Sequence, residues 1–183
     1  MYLTGPEEFK TLYADPGETS GWMLGCGNLL LSAGQTPLWH FADAAWEAIT
    51  KNTGILGGLS PESDPYVYNE DHAHLLDLPI KRVVAENFRL YPWLADALRF
   101  DEFRTVRLIG ALQFMCRDQG IEFHTQPAKI KDQAQALGVE QFYEHPLHEN
   151  RHANDAKQHW WYYCAFGPDG SPSVIEEGDL ASR

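Results

Sequence analysis

The sequence predicts an α+β fold, with helices in the middle of the chain and a small antiparallel sheet drawn from both ends. Three stretches carry that prediction. Residues 101–119 read as a helix, with Asp101 as N-cap and Gly120 just past the last turn. Between 108 and 116 this helix is apolar nearly all round, broken only by Gly110 and Gln113, so it is expected to be buried centrally. It is too short to span a bilayer. Residues 22–32 place Gly25 and Gly27 between two apolar runs, the pattern of a tight hairpin. Residues 160–166, WWYYCAF, read as the strongest strand, followed by the turn Gly167-Pro168-Asp169-Gly170.

The remaining elements follow in chain order. Thr4-Gly5-Pro6-Glu7 has capping-box spacing, and Phe9, Leu12 and Tyr13 give the short helix after it one apolar face. Asp15-Pro16-Gly17 ends that helix. A second helix runs over 36–52, with Leu38, Ala42, Ala45 and Ile49 as its core face. Residues 54–77 form a long acidic loop with a short strand at 66–68. A third helix starts at Asp77 and Pro79 and carries Ile80, Val83, Val84 and Phe88. Pro92 breaks it, and a short helix follows over 93–98. A strand at 121–124, a helix over 127–137 and a return strand at 173–176 complete the set. Residues 177–183 read as a loose C-terminal tail, and 1–183 as a single globular domain.

Composition bounds the function. An apolar fraction of 44% supplies a core, and a charged fraction of 22% argues against disorder. The N-terminus has no signal-peptide pattern, no run is apolar enough to cross a membrane, and the three cysteines are widely spaced. These features predict a cytoplasmic protein with free thiols. Net charge is −12, and residues 1–80 hold two basic side chains against eleven acidic ones. Such a field opposes nucleic-acid phosphates and anionic membranes and favours a basic protein partner.

Several patterns bear on chemistry. His148-Glu149-Asn150-Arg151-His152 matches H-E-x-x-H, whose i,i+4 imidazoles hold zinc with the Glu as base. Its polar neighbours and Pro146 fit an exposed helix start better than a buried zinc helix. His72 and His74 form an H-x-H pair beside Glu70 and Asp71, a possible divalent-ion site. Gly25-Cys26-Gly27 puts a thiol on a tight turn, with His40 or His124 as conceivable bases; a buried core thiol is the plainer reading. No Walker loop, dinucleotide fingerprint or G-x-S-x-G is present, so no cofactor is expected.

The leading expectation is a small acidic protein-binding module, an inhibitor of the immunity-protein or antitoxin type that occludes a basic enzyme. Its partner-binding residues are Glu62, Asp64, Glu70 and Asp71 on the acidic loop, with Trp160, Trp161 and Tyr163 as aromatic anchors. The alternative is a metal-dependent hydrolase using His72, His74, His148 and His152, with Glu149 as general base.

Overall fold

The computed structural model describes residues 5–51, 66–67, 70–88, 103–136 and 151–168. In chain order these form β1 (Lys10–Asp15), β2 (Thr19–Cys26), β3 (Leu29–Pro37), α1 (Leu38–Thr50) and β4 (Tyr66–Val67). A 3-10 helix (Glu70–Asp77), β5 (Ile80–Asn87), α2 (Arg104–Asp118), β6 (Glu122–Pro127), α3 (Ile130–Ala136) and α4 (Arg151–Phe166) follow. The fold is a single α+β domain around one mixed sheet of six strands, ordered β4-β3-β2-β1-β5-β6. β1, β2 and β3 form an antiparallel meander, while β5 lies parallel to β1, and β6 parallel to β5. Parallel neighbours need a crossover, and α2 supplies it between β5 and β6.

Alternation sorts each central strand into two faces. Leu12 and Ala14 of β1, Trp22, Leu24 and Cys26 of β2, and Val83 and Ala85 of β5 share one core with Phe41 of α1 and Leu112 of α2. Tyr13, Met23, Ala33 and Val84 point the other way and are covered by Ala156, Trp160, Tyr163 and Cys164 of α4. The sheet is therefore the centre of the molecule, with helices on both faces.

The hairpin expected at 22–32 forms as β2 and β3, the helix expected over 36–52 as α1, the strand expected at 121–124 as β6, and the helix expected over 127–137 as the shorter α3. Other expectations are corrected. The stretch after the capping-box pattern is strand β1, because Leu12 and Ala14 alternate with Thr11, Tyr13 and Asp15 rather than following a helical period. The segment expected as a third helix is β5; it is buried on both faces, so its apolar residues run together and resemble a helix stripe. WWYYCAF is the end of helix α4, not a strand, so the C-terminal part of the chain gives the sheet no strand among the described residues. Viewed from Ala153 onward the period is helical: Ala153, Ala156, Trp160, Tyr163 and Cys164 are buried at spacings of three, four and seven.

Helix α2 is not enclosed on all sides. Leu108, Leu112 and Cys116 bury one stripe, while Phe114 is 58% exposed. Inside the acidic stretch 54–77 the described residues form β4 and the 3-10 helix; its other residues, the segment 93–98, the return strand at 173–176 and the tail lie outside the described residues. Among the described residues no helix is long and apolar enough to cross a membrane.

Candidate active site

One row of residues crosses the sheet at the C-terminal ends of β1 and β5. Gln35 of β3 pairs with Gly21 of β2, and Gly21 pairs with Asp15 of β1. Ala14 pairs with Ala85, which sets Asp15 beside Glu86 on the next strand, and Glu86 pairs with Gln126 of β6. Strands about 4.8 Å apart bring such side chains within reach of one another. The odd-numbered face of β1 thus ends on a carboxylate where Pro16 stops the ladder.

Helix α4 begins over this row. Its approach depends on Gly21, where any Cβ would collide with the backbone carbonyl of His152. The backbone N–H of His152 donates to Gln35 Oε1 at 3.2 Å, which fixes the first turn. His152 Nδ1 lies 2.9 Å from Asp15 Oδ2. Asp155 and His159 follow at i+3 and i+7, on the same helix face. Ligand atoms of Asp15, His152 and Asp155 all lie within 4.8 Å of one another.

Lys131, in the first turn of α3, reaches into the same place. Its ammonium is 2.7 Å from Glu86 Oε2, 2.9 Å from Asp155 Oδ2 and 3.6 Å from Asp15 Oδ1. Small residues Ala134 on α3 and Ala153 and Ala156 on α4 are fully buried, which lets the two helices approach closely.

Burial pushes the Asp15 carboxyl up to about 6; the neighbouring Glu86 adds to the rise, while Lys131 and His152 oppose it. Burial works against the charge of Glu86 too, but hydrogen bonds from His159, Asp15 and Lys131 outweigh it and hold this carboxyl well below its usual range. The two neighbouring carboxyls are thus pushed in opposite directions. Burial also opposes the Lys131 charge, but the carboxylates around it prevail and raise its value.

His159 is completely buried between two row residues, with Nε2 3.1 Å from Glu86 Oε2 and Nδ1 2.8 Å from the side-chain oxygen of Gln126. Burial lowers its pKa and favours the neutral ring. A neutral ring donates once, here from Nε2–H to Glu86, and Nδ1 must accept. Turning the Gln126 amide end for end meets that need and gives the buried Gln126 Nε2 the partner it lacks.

Of the residues singled out from sequence, His152 alone enters this cluster. His72 is half-buried and His74 exposed in the 3-10 helix, whose Leu75 and Leu76 pack into the core on the opposite face of the sheet. His148, Glu149, Glu62 and Asp64 lie outside the described residues, and the side chain of Glu70 does as well. Asp71 is exposed. Trp160 and Tyr163 are buried against the sheet, and Trp161 is half-buried beside them. The Cys26 thiol is buried and donates to the Glu7 carbonyl at 3.0 Å; burial pushes its pKa up, which suits a core thiol. Asp15, Glu86, Asp155, Lys131 and His159 escaped the sequence reading. The recoverable signals were the alternation that ends on Asp15 and the i, i+3, i+7 spacing of His152, Asp155 and His159.

No protein-family model matches the chain, and no curated protein matches it either. Two similar solved structures are of RuvC from Thermus thermophilus. One, in complex with a Holliday junction substrate, has a TM-score of 0.49 at 12% identity over 87% of this chain and 97% of that one. The other has a TM-score of 0.47 at 15% identity over 87% and 98%. The inhibitor, immunity-protein and antitoxin expectation is corrected: neither of these neighbours is described as such a module. The expectation of a basic protein partner and no nucleic acid is corrected too: one neighbour is itself bound to a Holliday junction substrate. Among the described residues, part of the acidic charge is gathered into one site.

Proposed function

We propose that this chain is a metal-dependent hydrolase of phosphodiester bonds, with nucleic acid as its substrate class. The observation that carries the reading is the convergence of Asp15, His152 and Asp155 within 4.8 Å, beside Glu86. The donor set fits a hard divalent ion. Ligands of a magnesium-type ion at about 2.1 Å lie at most about 4.2 Å apart, a spread close to that of this cluster. Three carboxylates and one imidazole suit magnesium or manganese better than a thiolate-preferring metal, and such ions bind substrate phosphates through one or two protein carboxylates. When bound, the ion supplies Lewis acidity toward a phosphoryl oxygen and lowers the pKa of water.

The residues of the chain do the rest. Asp15, His152, Asp155 and Glu86 would hold the ion. Asp15 releases its proton as pH rises through about 6, so it becomes a charged donor only above that value. The net charge of −12 resists a polyanion, so contacts near the site, including exposed Lys129 and Arg151, must supply the attraction.

The test is a cleavage panel of single-stranded, duplex and four-way-branched DNA and RNA, with magnesium or manganese. Wild type is expected to cut at least one substrate, and Asp15→Asn and Asp155→Asn each to lose about 10²-fold or more. A wild type that cuts none of them, or variants that cut as well as wild type, would refute the reading.

A further inference from the structure

The centre of the carboxylate cluster already holds a cation. The Lys131 ammonium lies 2.7 Å from Glu86, 2.9 Å from Asp155 and 3.6 Å from Asp15, the carboxylates expected to receive the metal. We infer that Lys131 is a resident counter-ion that a divalent metal must displace, so that metal loading and withdrawal of this side chain are one event. The inference rests on the metal-hydrolase reading above.

Its physical basis is charge and space. An ammonium and a divalent ion cannot share carboxylate oxygens at these distances without strong like-charge repulsion in a partly desolvated site. Without a cation, Asp15, Glu86 and Asp155 would repel one another. Lys131 removes that repulsion and lets the row and α4 close in the metal-free protein. Lysine suits the task because it is a point charge on a flexible stem. Its side chain is 21% exposed, so it has a way out to water, whereas the Asp15 side chain is 9% exposed and stays. Among the described residues, these ion pairs are also the only polar contacts that hold the Lys131 side chain, and each would be surrendered to the same incoming charge.

The sign of the expected effect separates this role from an ordinary supporting one. A lysine that merely props the site makes metal binding weaker when lost. A lysine that competes makes it tighter. Full-length wild type and Lys131→Met are titrated with manganese by electron paramagnetic resonance and calorimetry, with thermal melts alongside. Lys131→Met is expected to bind manganese about tenfold or more tightly than wild type. Its melting temperature should be lower without metal and should rise more on manganese addition. If Lys131→Met cannot be kept folded without metal, the wild type alone decides by nuclear magnetic resonance. A hydrogen-bonded lysine ammonium signal, assigned to Lys131, should vanish on saturation with magnesium.

Wild type that binds manganese while Lys131→Met binds equally or less tightly would overturn the inference and leave the hydrolase reading standing. An ammonium signal that survives magnesium saturation would overturn it too. Failure of both proteins to bind either metal would sink the hydrolase reading, and this inference with it.

Discussion

Gly21→Ala tests how the site is assembled. Gly21 pairs with Asp15 on the adjacent strand, and the first turn of α4 rests on it. A Cβ there would collide with the His152 carbonyl and lie 2.7 Å from the Ala153 nitrogen, where ordinary contacts fall at 3.4–4 Å. Both atoms are backbone, so no side chain can swing away. The start of α4 must therefore retreat by about 0.7 Å or more. Overpacking of this kind costs about 1–3 kcal/mol. In a chain of this size that lowers Tm by about 3–10 °C. The functional cost is larger, because a misplacement of about 1 Å in a catalytic group is worth about 10²-fold. Manganese affinity and cleavage should thus fall much further than stability. Gly110→Ala is the control: it sits in helix α2 with open space around it, and gains about 0.5–1 kcal/mol from helix propensity. Denaturant melts and metal titration of both variants read the result. A Gly21→Ala protein that matches wild type in stability and metal affinity would refute the packing argument.

Asp15 carries a cost in the metal-free protein. Its folded value of about 6 stands above its ordinary 3.8, so the fold prefers the protonated form and stability declines as pH rises through that window. Glu86 is held low and works the other way, adding stability above its ordinary range and losing it only in stronger acid. Asp15→Asn should therefore raise the metal-free Tm near about pH 8 but not near about pH 4; a variant less stable than wild type at the higher pH would contradict this. The placement of α2 makes a separate forecast. Fully buried Phe41→Ala should cost about 3–5 kcal/mol, and exposed Phe114→Ala less than about 0.5 kcal/mol. Equal losses in urea melts would return α2 to the interior of a core.

Local pattern was sufficient where one short window held all the information. The hairpin around Gly25 and Gly27, helix α1 with its apolar face, and the stop of α2 at Gly120 each depend on residues close in sequence. The window failed where burial on two faces hid the period. In β5, apolar side chains serve both cores, and the run looked helical. In α4 the reverse happened. Aromatic residues at 160–163 looked like a two-sided strand because the helical face begins earlier, at Ala153 and Ala156. An aromatic run has no period of its own, so its neighbours decide.

By itself, then, the sequence determined the class of the fold, the stop of α2 at Gly120, and the presence of acidic and histidine side chains able to hold a cation. It did not determine which of them meet. Asp15 reads as a turn residue, Glu86 as an exposed helix position and Asp155 as part of a polar helix start. Only the tertiary structure joins them, because the register of β1 on β5 sets two carboxylates side by side, and Gly21 lets α4 lower the third onto them. A histidine pair in one short segment is visible in a sequence as spacing. A site whose parts come from two parallel strands and a distant helix has no spacing to read, since the strand register that builds it is fixed by packing across the whole sheet.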